Sequence, residues 1–151
     1  MGSILRVSDA ATIGMHAMAC LAGANDGIPL STSRIAQDLD VSEAHLSKVL
    51  QRLSRQGLVS SKRGPGGGFV LGRKPAEIRL REIYEAIEGP LPTAVCLLGR
   101  NDCPGGSCIL GDMLRGIQDQ VERYFASATL DSFQHWGAKV GGNGRNGGAA
   151  T

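Results

Sequence analysis

Ser42–Leu71, SEAHLSKVLQRLSRQGLVSSKRGPGGGFVL, is the stretch whose reading decides the fold. In its first half Leu46, Val49, Leu50 and Leu53 recur at helical spacing and form the apolar stripe of an amphipathic helix. Ser42 ahead of Glu43 is an N-cap signal, and Gly57 after Gln56 is a stop signal. The opposite face carries His45, Ser47, Lys48, Gln51, Arg52 and Arg55, all able to donate hydrogen bonds. Behind the stop come an apolar–polar run (Leu58–Lys62), a Gly/Pro turn (Gly64–Gly68) and a second run (Phe69–Leu71). That pattern is a hairpin with a basic, glycine-rich tip. From Glu43 to Lys74 the charges are Lys48, Arg52, Arg55, Lys62, Arg63, Arg73 and Lys74 against Glu43 alone. A helix followed by a basic hairpin reads as a winged helix, an arrangement suited to DNA.

Upstream, Ser31 caps a short helix with Ile35, Ala36 and Leu39 inward, and Asp40-Val41 turns the chain into Ser42. Two short helices joined by a tight turn make a helix-turn-helix whose second helix carries the reading face. Further back, Ser8 caps a helix expected over Asp9–Ala22. His16 and Cys20 stand one helical turn apart there, a spacing a metal could use, but a free Cys beside Ala17 and Leu21 reads better as core.

Downstream, Ile78 and Leu80 lead into a helix that runs through Glu88 and stops at Gly89, with Pro90 and Pro92 forbidding continuation. A loop holding Cys96, Cys103 and Cys108 follows. A long helix is then expected over Ile109–Ser127, with Ile109, Met113, Ile117, Val121 and Phe125 in steps of four, widened by Leu110, Leu114 and Tyr124. So much apolar surface is covered most economically by a second copy of the chain, or by packing on the first helix. The expected organisation is a winged-helix domain over 1–89, a cysteine loop over 90–108, a dimerisation helix and packing segment over 109–135, and a disordered Gly-rich tail over 136–151. The fold class is mainly α with a small β-hairpin wing.

A chain of 151 residues that is 42% hydrophobic can bury one core. Its net charge is only +2, so the clustering of cations in one segment is the informative feature. No apolar run reaches a membrane span and no secretory segment opens the chain, so a cytoplasmic protein is expected. In that compartment the four cysteines point to metal, redox chemistry or core packing before disulfides. No nucleophile–base arrangement or carboxylate pair suggests an enzyme.

Gly64, Gly66, Gly67 and Gly68 let the hairpin tip take positive φ and approach a phosphate backbone closely. Arg63 has the length and charge to enter a minor groove. GPGGG lacks the Gly-Lys-Ser/Thr ending of a nucleotide phosphate loop and is followed by a strand. Base contacts are expected from Ser42, Glu43, Ala44, His45, Ser47 and Lys48, with Lys48, Arg52 and Arg63 adding attraction for phosphates and groove. A two-fold dimer would read a palindromic double-stranded operator.

The cysteines are spaced C-x6-C-x4-C, as Cys96-LLGRND-Cys103-PGGS-Cys108. Thiolates favour soft metals and iron–sulfur clusters, and zinc would also accept them. Bare thiols serving a ligand-responsive regulator, or a cluster-carrying scaffold, are the competing uses.

The segment GLVSSKRGPGGGFVL, with SEAHLSKVLQRLSRQ before it and REIYEAIEGP after it, resembles the Rrf family of bacterial winged-helix regulators. The resemblance runs from about Arg6 to Phe133, and its most specific parts are RGPGGG at Arg63–Gly68 and EAIEG at Glu85–Gly89. It implies a winged-helix domain, a long dimerisation helix, and between them a three-cysteine loop holding a [2Fe-2S] or [4Fe-4S] cluster. Members of that family often have two five-residue gaps, so this chain departs by one residue each way. Some carry a histidine ligand three residues after the last cysteine, where this chain has Gly111. Others use an aspartate at the start of the first helix, donated by the other subunit, and Asp9 in RVSDAA matches that place. The implied ligand set is Cys96, Cys103 and Cys108 with Asp9 of the partner, while His16, water or a small thiol are alternatives for the fourth site.

Overall fold

The computed structural model describes residues 5–24, 27–93, 96–98, 100 and 103–143. Its elements are α1 (Asp9–Gly23), α2 (Thr32–Leu39), α3 (Glu43–Arg55), β1 (Val59–Lys62), β2 (Gly68–Leu71), α4 (Leu80–Glu88), α5 (Gly111–Ser127) and α6 (Gln134–Asn143). Short 3₁₀ turns at Pro75–Glu77 and Leu130–Phe133 precede α4 and α6.

α1 is the centre of the molecule. The Ser8 hydroxyl accepts from the Ala11 N–H at 3.2 Å and starts the helix, with Asp9 in the first turn where the helix dipole favours an anion. Ala11, Gly14, Ala17, Met18, Cys20, Leu21 and Ala22 are all buried, which is the pattern of a helix covered on most sides. A Cβ at Gly14 would stand 2.2 Å from Ile87 Cδ1 and 3.2 Å from Val49 Cγ1, so α3 and α4 both press on α1 there.

α2 ends at Asp40, whose left-handed φ of 53° lets its N–H reach Gln37 O and the Val41 N–H reach Ala36 O. This places α3 with Leu46, Val49, Leu50 and Leu53 fully inward, as the stripe predicts. The wing is one antiparallel pair in register Val59↔Leu71 to Lys62↔Gly68. A bridge from the α1–α2 linker extends it, Leu30 exchanging backbone hydrogen bonds with Phe69 at 3.0 and 2.8 Å. A Cβ at Gly68 would lie 2.2 Å from Leu30 O, so this bridge needs glycine there.

The long helix begins at Gly111, two residues later than its apolar pattern suggests, because Ile109 and Leu110 belong to the turn before it. Its apolar residues divide between two faces. Leu114 and Phe125 are buried with the polar Gln118 between them, and Phe125 meets Tyr84 of α4 edge-on at 5.5 Å. Ile109, Met113 and Tyr124 remain exposed. The inward face therefore packs on α4, while the place expected for it on α1 is taken by α6.

Here the structure corrects the expectation of a disordered tail from residue 136. α6 continues to Asn143, docked along α1. Glycine, a poor helix former, is what permits the docking: a Cβ at buried Gly137 would sit 1.8 Å from Ala19 O, and one at Gly23 would sit 2.2 Å from Ala138 N. The two backbones touch where side chains would hold them apart. Arg34 of α2 adds a clamp, pairing its Nε with Asp38 Oδ2 at 2.9 Å and donating from Nη2 to Gly141 O at 2.7 Å. Residues 144–151 of the expected tail lie outside the described residues.

Gly137→Ala, which forces Ala19 backbone away, should destabilise the chain by about 1–3 kcal/mol, an overpacking magnitude. A urea midpoint of Gly137→Ala equal to that of the unsubstituted chain would contradict the close α1–α6 crossing.

Candidate nucleic-acid interface and cysteine loop

The amino end of α3 is a free surface. Glu43, Ala44, His45 and Lys48 are exposed and Ser47 is half-buried. The Ser42 hydroxyl accepts from the His45 N–H at 3.4 Å, so it caps the helix and still keeps its own proton to donate outward. Burial of the opposite stripe fixes the helix rotation, so these residues face outward by necessity. The wing tip stands beside the same chain stretch, with Lys62, Arg63 and Gly64 exposed. Gly64 and Gly66 take φ of 98° and 72°, conformations that L side chains rarely adopt.

The cations of the stretch are not equivalent. Lys48, Lys62, Arg63 and Lys74 make no ion pair among the described residues. Arg52 donates from Nη1 to Ile87 O at 3.3 Å, at the carboxyl end of α4 where the helix dipole favours a cation. Arg73 pairs with Glu82 at 2.6 Å and also donates to Glu77 O. Partial burial pushes the Glu82 carboxyl up, but the Arg79 N–H and the Arg73 guanidinium outweigh it and hold the group below its ordinary value. Arg52 and Arg73 thus brace the base of the reading surface, a role that a charge count along the sequence does not reveal.

Asp9 is exposed at the start of α1 and lines a groove with Thr12, Ile13, Val41, Ser42 and His45. Within one chain it therefore neighbours the reading helix rather than the cysteines.

Cys96, Cys103 and Cys108 lie on the loop between α4 and α5, none of them in a disulfide. Cys103 donates from Sγ to Ser107 O at 3.3 Å, and tight turns carry Gly106 N–H to Cys103 O and Gly111 N–H to Cys108 O. The loop is tied at its start by Gln118, buried on α5, whose amide donates to Pro92 O. Soft sulfur donors on an exposed Gly/Pro loop suit an iron–sulfur cluster or a thiophilic metal in kind. Among the described residues, however, no three His, Cys, Asp or Glu side chains converge on one point. Donor chemistry fits the group; the loop as it stands does not gather it.

Cys20 belongs to the core. It is 2% exposed, and burial, with a smaller contribution from the Asp38 carboxylate, pushes its thiol from 9.0 up to about 11. His16, one turn before it, donates from Nδ1 to Thr12 O at 2.7 Å and meets Trp136 edge-on at 5.0 Å, so the pair is not assembled as a metal site. Trp136, Gly137 and Arg34 are the structural residues that sequence reasoning passed over; the lone Trp beside a glycine was the available signal.

A helix-turn-helix with a basic wing, followed by a long helix, defines the winged-helix class of regulators. Residues 7–135 match the Rrf2 family, described as iron-dependent transcriptional regulators, and the chain belongs to that family. It is 33% identical over 104 residues to the HTH-type transcriptional regulator IscR of Photorhabdus laumondii subsp. laumondii, an alignment spanning 68% of this chain and 63% of that protein. IscR of Escherichia coli O1:K1 / APEC is 28% identical over 127 residues, 83% of this chain and 78% of that protein. Among solved structures, CymR (YrzC), the global cysteine regulator of B. subtilis, superposes with a TM-score of 0.74 at 32% identity, covering 87% of this chain and 98% of that one. T. potens IscR superposes with a TM-score of 0.68 at 28% identity, covering 87% and 88%. These relatives are regulators, not enzymes. Among the described residues no helix is long and apolar enough to cross a membrane.

In metal-free, reduced protein, a thiol reagent at pH 8 should label Cys96, Cys103 and Cys108, with exposed Cys108 fastest, and spare Cys20 until the chain unfolds. Because the folded pKa of Cys20 is raised, its neutral form contributes stability that is intact below pH 9.0 and declines as pH rises toward about 11. Labelling of Cys20 in the native state would contradict its placement.

Proposed function

We propose that the chain is a homodimeric transcriptional regulator that reads a palindromic double-stranded operator and whose affinity is set by an iron–sulfur cluster on Cys96, Cys103 and Cys108. The observation that carries the DNA reading is the uncovered surface of α3 and the wing. Glu43, His45, Lys48, Gln51, Arg52 and Arg55 are exposed while Leu46, Val49, Leu50 and Leu53 are buried. Ser42, Glu43, Ala44, His45, Ser47 and Lys48 would meet base edges in a major groove, and Arg63 with Gly64, Gly66 and Gly67 a flanking minor groove. Lys48 and Lys62 would neutralise phosphates, with Arg52 contributing from its position at α4. Half-sites would lie about one helical turn apart, or a multiple of it.

Dimerisation through the outward face of α5 is supported by Met113 and Tyr124 of that helix and Ile109 in the turn before it, which are 51%, 53% and 98% exposed. Covering them is favourable by roughly 25 cal/mol per Å² of apolar area. For the cysteine loop, three cysteines outside any disulfide between the reading domain and α5, and a family described as iron-dependent, support the cluster. A bound cluster would supply a redox-sensitive centre that responds to oxidants, nitric oxide or iron status. The fourth ligand is proposed to be Asp9 of the other subunit, since Gly111 has no donor and Asp9 is exposed.

A second reading, a regulator responding through bare thiols or a small ligand, is favoured by the unconverged thiols and by the likeness to a global cysteine regulator.

Arg63→Ala should weaken operator binding and reduce the slope of log K against log salt by about 1. An unchanged slope would remove Arg63 from the interface. Protein purified without oxygen should show sulfur-to-iron absorption in the visible, lost in Cys103→Ala, while Asp9→Ala keeps the absorption but shifts it. Colourless protein with normal operator affinity would favour the second reading.

A further inference from the structure

Beside the wing the fold leaves a cleft of about 650 Å³ that neither the amino end of α3 nor the cysteine loop lines. Its floor is apolar, made by Leu21 and Ala22 from the end of α1 and by Val70 and Leu71 of β2. Ala24, Gly27 and Ile28 of the α1–α2 linker form one wall, and Gly72 to Pro75 form the other. Backbone contacts hold that second wall rigidly. A Cβ at Gly72 would stand 2.0 Å from Gly57 O, and the Gly72 N–H donates to Leu58 O at 2.9 Å. Pro75 then opens a 3₁₀ turn in which the Glu77 N–H reaches Lys74 O at 2.9 Å. The cleft is thus built in the unliganded chain, and its volume lies within the roughly 300–1,000 Å³ of small-molecule sites.

Charge at the rim says what chemistry it takes. Lys62, Arg73 and Lys74 stand at the edge, with Glu77 the one carboxylate among the described lining residues. Arg73 is already engaged by Glu82 and by Glu77 O. Lys62 and Lys74 make no ion pair among the described residues, so two free ammonium groups stand against one carboxylate. Ile28, 56% exposed, adds apolar surface at the mouth.

We propose that this cleft binds a small carboxylate with an apolar body, its carboxylate on Lys62 and Lys74 and its body over Leu21, Val70 and Leu71. An inorganic anion would leave the apolar floor wet, and a hydrocarbon would leave both ammonium groups unanswered. Covering the floor gives most of the affinity, while the charge-assisted hydrogen bonds at the rim fix orientation. Occupancy reaches the operator through Lys62, which closes β1 next to Arg63 at the wing tip. A carboxylate held on Lys62 withdraws that charge from DNA. The bound ligand therefore lowers operator affinity and reduces the salt slope by about 1, and operator lowers ligand affinity by the same factor.

The site stands independently of the DNA reading; only this coupling rests on it, and the experiment takes the two in turn. Octanoate is the probe, titrated calorimetrically into the DNA-free full-length chain, with octanol and octylammonium as uncharged and inverted-charge controls. Octanoate should bind once per chain, and both controls at least about tenfold more weakly, the worth of one charge-assisted hydrogen bond. Lys74→Glu and Ile28→Asp, both at exposed positions, should abolish octanoate binding without moving the urea midpoint. Octanoate should then lower operator affinity in the wild type but not in Ile28→Asp. No saturable octanoate binding, equal binding of either control, or binding that survives both substitutions overturns the site. Saturable binding with unchanged operator affinity overturns the coupling to the wing. A chain that binds no operator even without octanoate counts against the DNA reading and the coupling, while calorimetry alone decides the cleft.

Discussion

The contact of backbone on backbone between α1 and α6 is the constraint on which the rest of the structure depends. Gly137 lies against Ala19 O and Gly23 against Ala138 N, at separations that exclude any side chain. With α6 on that side of α1, α5 packs on α4, through Phe125 against Tyr84. The chain between α5 and α6 is stitched to the start of α4 by Leu80 N–H to Ala128 O and Leu130 N–H to Ile78 O. The outward row of α5 is therefore the residue of two prior choices, not an independent feature. Its exposure follows from where α6 went.

On its other sides α1 supports the reading surface. α3 presses its Leu46–Leu53 stripe into the core beneath it, and α4 closes the corner where Arg52 reaches Ile87 O. The wing is anchored twice, by pairing with its own strand and by the Leu30–Phe69 bridge to the linker behind α1. A rigid base with a glycine-rich tip places Arg63 without consuming its charge. Rigidity matters because ordering a loose tip on binding would oppose the electrostatic gain.

Much of this was legible in residue order. The α3 stripe, the Ser8, Ser31 and Ser42 caps and the hairpin all express local rules, spacing and turn chemistry, that tertiary context did not override. Asp40 in the left-handed turn is equally local. What failed to show were relations between distant segments. QHWGAKVGGN reads as tail because glycine disfavours helix in isolation. Its helix depends on Ala19 and Gly23, over a hundred residues away, which periodicity cannot report. The long helix was legible apart from its first two residues, but its single apolar stripe concealed two faces, separated only once α4 claims Leu114 and Phe125. Among the site residues, Arg52 and Arg73 counted as free cations until Ile87 O and Glu82 were seen beside them. The cysteine spacing identified the thiols, and no rule of spacing could supply their convergence.

The central claim is that two copies of one exposed helix-and-wing surface read DNA together. Hydroxyl-radical footprinting on a duplex selected by the protein from a random pool tests it most directly. The account predicts two protected blocks related by a two-fold axis, about one helical turn or a multiple apart, each flanked by minor-groove protection from a wing. A single asymmetric block, or protection with no flanking minor-groove component, would contradict it.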